Sequence, residues 1–128
     1  MKGDKREFSN LSHRVIGCAI EVHRNLGPGL LESTYQQCLA HELHTNNIAF
    51  KMEHPLPVVY KDVSLDCGYR IDLLVEDALI LELKAIDEIR DIHKAQVLTY
   101  MKLAGIKHGL LLNFNVIRLK DGLTSLVL

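Results

Sequence analysis

The 128-residue chain is expected to fold as an α/β protein, with a central mixed sheet flanked by helices in three layers. Three observations lead there. Helical periodicity marks two stretches between Leu11 and Asn46, short apolar runs of strand length follow from residue 48, and one further helical stretch separates the later strands. The expected order is ααββββαββ. Apolar residues at 48% and charged residues at 24% suit one compact domain over residues 1–128, with a polar N-terminal extension over about residues 1–8.

Each element has its own signal. Ser9, Asn10 and Ser12 are N-cap candidates for a first helix, whose apolar face is Leu11, Val15, Cys18, Ala19 and Val22. Gly27-Pro28-Gly29 ends it, since glycine accepts positive φ and proline cannot continue the ladder. A second helix is expected from about Leu30 to Asn46, with Leu31, Tyr35, Cys38, Leu39 and Leu43 on its apolar side. Residues 48–61 carry Pro55 and Pro57 among apolar residues, which suits strands with an edge or a break, and Leu65 to Cys67 is a short strand or turn. Tyr69–Val75 and Leu79–Ala85 form a hairpin across Glu76-Asp77-Ala78. A third helix covers about Asp91–Ala104 and stops at Gly105. Gly109–Phe114 is a buried strand, and Val116–Leu119 is expected to pair with Leu123–Leu128.

Composition bounds the function. Lys and Arg total 15 against 16 Asp and Glu, a net charge of -1, so nucleic acid is not gripped by charge alone. Cys18, Cys38 and Cys67 have no CxxC spacing, which argues against a zinc ribbon or a disulfide framework and for core thiols. The charged start lacks a signal-peptide core, and no apolar run approaches the ~18 to 20 residues that span a bilayer. A cytoplasmic protein without membrane contact is expected.

Chemistry concentrates in the hairpin. Its two apolar strands carry Asp72, Glu82 and Lys84. Alternation puts Asp72 with Leu74, Glu82 with Ile80 and Lys84, and Ile71, Leu73 and Val75 together, so the three charges are expected on one face. Charges there are costly unless paired or metal-bound. Two carboxylates can hold Mg²⁺ through oxygen and leave water positions open, and Lys84, roughly 7 Å along the strand from Glu82, can stabilise developing charge. Composition alone produces an acid-x-Lys about once in a chain of this size, so the coincidence with Asp72 carries the weight.

Two further groups lie on helices. Glu32 begins the second helix, where the macrodipole favours a carboxylate, and Tyr35 lies on the same side. Gln96 and Tyr100 share a face of the third helix with Ile89, Ile92 and Leu103. A glutamine there can bind water, a substrate phosphate or a strand backbone group. His93 lies one turn before Gln96 and could contact phosphate, whereas His41 and His44 read as solvated. Arg90, His93, Lys94 and Lys102 form the best candidate basic strip.

These blocks in order resemble a known family. Gly29-x-x-Glu32-x-x-Tyr35 is similar to the signature of the GxxExxY protein family, and Tyr69–Asp72, Leu81–Lys84, Gln96–Tyr100 and Asn113–Asn115 are similar to its later blocks. That family is classed with the PD-(D/E)XK nuclease-like superfamily, whose restriction-endonuclease-like fold the resemblance implies. It further implies that Asp72 and Glu82 bind metal, that Lys84 is the catalytic lysine, and that Glu32 is an added ligand or water-holder. Gln96 would orient water or phosphate, with Tyr35, His93 and Tyr100 as candidate substrate contacts. Arg70-Ile71 departs from the motif, in which a proline precedes the aspartate.

The expected function is Mg²⁺-dependent hydrolysis of phosphodiester bonds in DNA, with RNA the alternative substrate and Mn²⁺ an alternative ion. Weak binding of nucleic acid implies a homodimer or a partner protein. Two rival readings are a non-catalytic dimeric interaction or regulatory module that keeps the fold, and a small-ligand or nucleotide-binding protein using the acidic pocket.

Overall fold

The computed structural model describes residues 2–128, with side chains described from Asn10 onward. Helix α1 (Lys2–Leu26) buries Val15, Cys18, Ala19 and Val22, the expected stripe. It starts earlier than expected: Ser9, Asn10 and Ser12 lie inside it rather than capping it. An existing helix gains one backbone bond for each residue added, so a polar stretch can extend it without an apolar face. Gly27, at φ 71°, closes α1 by donating its N–H to the His23 carbonyl at 2.7 Å. Helix α2 (Glu32–Thr45) follows.

Five strands form the main sheet: β1 (Phe50–Pro55), β4 (Arg70–Val75), β5 (Leu79–Lys84), β6 (His108–Asn113) and β7 (Leu123–Val127), in the spatial order β1-β4-β5-β6-β7. Only β5 and β6 run parallel, and helix α3 (Asp91–Ala104) makes the crossover that such a pair requires. The remaining neighbours are antiparallel. The sheet is therefore mixed, and its two central strands are those that carry the acids.

Two segments depart from expectation. Val58–Tyr60 (β2) and Val63–Leu65 (β3) pair only with each other, across Lys61 and Asp62 at φ 48° and 66°, the geometry of a tight type I′ turn. The order thus holds one strand more before α3 than expected. Val116–Leu119 forms no strand, because the chain turns there through a short 3₁₀ segment (Leu119–Gly122) before β7 pairs with β6.

The sheet separates two apolar layers. Leu73, Val75, Leu79, Leu81, Leu83, Leu110 and Leu112 pack under α1 and α2, while Ile71, Leu74, Ile80 and Leu111 pack under α3 with Val97 and Met101. Each fully buried aliphatic side chain contributes roughly 2 kcal/mol. Cys18 is buried in the first layer, but Cys67 is exposed, contrary to the expectation that all three thiols are core. Among the described residues, no helix is long and apolar enough to cross a membrane.

The return from β6 to β7 is tight. A Cβ on Gly122 would collide with the backbone carbonyl of Asn113, the last residue of β6. Backbone cannot yield as a flexible side chain can, so Gly122→Ala is expected to destabilise the domain by about 3 kcal/mol. Urea unfolding monitored by circular dichroism would read the change in midpoint.

Candidate metal centre in a splayed strand pair

Strands β4 and β5 are joined by a tight turn at Glu76 and Asp77 and pair regularly for three rungs: Val75 with Leu79, Leu74 with Ile80, and Leu73 with Leu81. Beyond Leu73 the pairing stops, although both strands continue. β4 stays paired with β1 as far as Pro55–Arg70, and β5 stays paired with β6 as far as Lys84–Asn113. The two central strands therefore part while each remains held by its outer neighbour, leaving a wedge in the middle of the sheet.

Asp72 and Glu82 fill the mouth of this wedge. The Asp72 N–H donates to Glu82 Oε2 at 2.9 Å, and the Leu83 N–H donates to Asp72 Oδ2 at 2.9 Å. Each carboxylate thus replaces a missing ladder partner on the opposite strand, which an unpaired buried N–H requires. The second oxygen of each, Oδ1 and Oε1, has no hydrogen-bond or ion-pair partner among the described residues.

The other side of Asp72 is broken too. β1 pairs through Met52–Leu73 and His54–Ile71, but the rung between Glu53 and Asp72 is missing, and Glu53 stands at φ 52°. Gln36 of α2 spans the gap, its Nε2 donating to the Asp72 carbonyl at 3.0 Å and to Glu53 Oε2 at 2.6 Å. This distortion corrects the expectation of simple alternation. Ile71 and Leu74 share the α3 layer although three residues apart, whereas Leu73 faces α1 and α2. Asp72 consequently lines a cavity of about 350 Å³ with Leu31, Glu32, Gln36, Glu53 and Leu83, rather than sharing a face with Leu74. Glu82 continues the α3-facing line of Ile80, so the two acids meet in the gap and not on one face.

Burial governs their charge. Desolvation, chiefly, and then repulsion from Asp72 push the Glu82 carboxyl up to about 8. Asp72 rises to about 6, again mainly through desolvation, with Glu53 and Glu32 adding to the rise. The Leu83 N–H and the Lys84 ammonium oppose that rise without cancelling it. No Lys, Arg or His nitrogen lies within ion-pair distance of either acid among the described residues. Two adjacent acids whose burial opposes ionisation, each with one uncommitted oxygen, suit a hard divalent cation with oxygen ligands.

The other expected residues divide. Lys84 is half-buried at the end of β5, and its positive field reaches both acids. Glu32 is exposed at the start of α2 and shares the cavity with Asp72, but the expected ligand trio is not preformed: among the described residues no group of three or more His, Cys, Asp or Glu is placed to hold a metal. Tyr100 is buried under the sheet, where burial and the charge of Glu82 keep its hydroxyl protonated. That hydroxyl accepts a bond from Gln96 Nε2 at 3.3 Å; Gln96 itself is exposed. His93 accepts the Arg90 N–H on Nδ1 at 2.8 Å and so serves the start of α3.

Tyr35 belongs to the core and offers no surface to a substrate. It is fully buried, stacks on Phe114 with ring centroids 4.5 Å apart, donates its hydroxyl to the Gly27 carbonyl at 2.6 Å and accepts the Leu30 N–H at 3.1 Å. It ties down the turn that delivers Glu32. Two contributors escape the sequence reading, Gln36 and Glu53, while Asn113 enters it only as part of the Asn113–Asn115 block. Gln36 follows Glu32 by one helical turn, a spacing that could have found it. Glu53 gives no signal, since a positive φ at glutamate has no local cause. The buried Asn113 accepts the Ile86 N–H at 3.1 Å and donates to the Ile86 carbonyl at 3.0 Å, clamping the loop that follows Lys84.

A family-level comparison matches residues 9–126 to the PD-(D/E)XK nuclease superfamily. No curated protein and no solved structure matches. Nucleases of this superfamily typically use divalent metals. The match runs from within the first helix to the last strand, over a mixed sheet covered by helices on both sides, and this chain therefore belongs to the PD-(D/E)XK nuclease superfamily as a nuclease-like domain.

Proposed function

We propose that the domain hydrolyses phosphodiester bonds of DNA, with RNA the alternative substrate, and that Asp72 and Glu82 hold Mg²⁺ or Mn²⁺. The observation that carries this reading is the wedge itself, where two carboxylates each keep one oxygen on a backbone N–H and one oxygen uncommitted. Glu32, at the rim of the same cavity, is the candidate for holding a metal-bound water rather than a preformed third ligand.

A divalent cation bound there would polarise the phosphate and lower the pKa of an attacking water. The chain's own residues do the rest. Lys84 places a positive charge beside the acids, where it stabilises negative charge developing on the phosphate. Tyr100 keeps its proton and, with Gln96 bonded to its oxygen, can donate to a phosphate oxygen. His93 retains Nε2 for the same purpose. With a net charge of -1, the chain alone grips a polyanion weakly, so recognition falls to a second copy or a partner protein.

Labelled single- and double-stranded DNA and RNA incubated with Mg²⁺ or Mn²⁺ test this directly. Wild type should cleave DNA, and Lys84→Ala should lower the rate by about 100-fold or more. Asp72→Asn, which keeps an acceptor for the Leu83 N–H, should abolish both cleavage and divalent binding measured by calorimetry. Absence of cleavage together with absence of divalent binding in wild type would sink the enzyme reading and favour the interaction module.

The acids also make stability depend on pH. Both carboxyls bind protons more tightly folded than unfolded, Asp72 between its ordinary value of 3.8 and about 6, Glu82 between 4.5 and about 8. Their contribution is complete below about pH 4 and is lost as pH rises through 6 and then 8. Without metal, the thermal midpoint should therefore fall from pH 5 to pH 8.5. Glu82→Gln should flatten that fall, and saturating Mn²⁺ should offset it in wild type. A midpoint that rises over this range in metal-free wild type contradicts the assignment.

A further inference from the structure

Helix α2 meets the broken rung through one side chain. A glutamine amide nitrogen carries two hydrogens, and Gln36 Nε2 has two acceptors in reach, the Asp72 carbonyl at 3.0 Å and Glu53 Oε2 at 2.6 Å. The Met52–Leu73 and His54–Ile71 rungs persist on either side, so the release of Asp72 from β1 is confined to one residue. Glu53 holds its left-handed backbone at φ 52°, a conformation that residues with a Cβ disfavour. Such a conformation persists when its surroundings over-determine it. Here the bond from Gln36 to its carboxylate supplies part of that hold.

We propose that Gln36 is a positioning residue for Asp72: by bridging the Asp72 carbonyl and the Glu53 carboxylate, it sets the direction in which the Asp72 carboxylate is presented to a divalent cation. This rests on the reading of Asp72 as a metal ligand. Without the amide, a carbonyl and a carboxylate are left near each other with no shared donor. The Asp72 peptide then turns toward water or toward β1. The Asp72 N–H, in the preceding peptide group, is bonded to Glu82 and Oδ2 to the Leu83 N–H, so the rotation, passed on through the Asp72 Cα, loosens both bonds across the wedge. Gln36 acts on the metal only through this peptide. Its spacing from Glu32, one helical turn, links the position of the α2 N-terminus to the strand that carries Asp72.

The test compares the full chain with Gln36→Met, a side chain of similar length and helix propensity that donates nothing. Amide hydrogen exchange without metal should show the Leu83 and Asp72 N–H groups exchanging at least about tenfold faster, with Leu74 and Leu81 unchanged as internal references. Mn²⁺ titration by calorimetry should show affinity weakened by about tenfold or more, the usual effect of losing a group that orients a ligand. Glu53→Gln, which leaves the Gln36 amide free to hold the Asp72 carbonyl, should stay within about threefold of wild type in Leu83 exchange. Should Gln36→Met fail to fold, Gln36→Asn, too short to bridge both acceptors, carries the same expectations. Unchanged Leu83 exchange overturns the proposal whatever the metal does, as does faster exchange with unchanged Mn²⁺ affinity. Faster exchange in a protein whose wild type binds no Mn²⁺ supports the backbone role of Gln36 and overturns the metal reading instead.

Discussion

A buried backbone amide or carbonyl that loses its sheet partner must find another, and this requirement organises the centre of the domain. Asp72 has lost both of its neighbours. On one side β5 has moved away, and on the other Glu53 has left the β1 ladder. Three side-chain bonds replace the missing rungs: Glu82 takes the Asp72 N–H, Gln36 supplies the Asp72 carbonyl, and Asp72 itself takes the Leu83 N–H. The groups that keep the wedge open are thus the groups it presents, and opening a sheet at its middle becomes compatible with a closed hydrogen-bond inventory.

The rest of the fold supports that opening from outside. The outer strands keep β4 and β5 in register with β1 and β6, so the gap cannot spread across the sheet. Asn113 holds Ile86 by both its backbone groups and fixes the chain where it leaves Lys84. Tyr35, stacked on Phe114 and bonded to the Gly27–Leu30 turn, anchors the start of α2 from below. The glycine, glutamate and tyrosine of the N-terminal signature therefore divide their work: a turn, a side chain at the cavity, and the pin that holds one to the other.

Much of this was legible in the sequence. Helix α3 and the β4–β5 hairpin follow directly from periodicity and turn residues, because local patterns decide them. The meeting of Asp72 with Glu82 was visible because acids are rare in otherwise apolar strands. What escaped was the break in alternation at Asp72, since it depends on Glu53 in a distant strand and on an amide from α2. Period-two reasoning assumes an intact ladder, and it failed at the one residue where the ladder ends on both sides. The reading of residues 1–8 as a polar extension ahead of the helix failed for a different reason: propagation from an existing helix needs no apolar signal.

The reciprocal bonds of Asp72 and Glu82 also change what a surviving motif means. Because these carboxylates complete the backbone of two strands, selection for folding alone would keep them in a descendant that had lost all chemistry. Their presence in a relative is therefore weak testimony to activity. The Lys84 ammonium has no hydrogen-bond or ion-pair partner among the described residues and closes no gap in the sheet. Its ammonium group acts on the framework only through its field, which opposes the rise of both acids. On the proposed function the lysine is therefore the informative letter, and its loss beside two intact acids would mark a domain that still folds without catalysing.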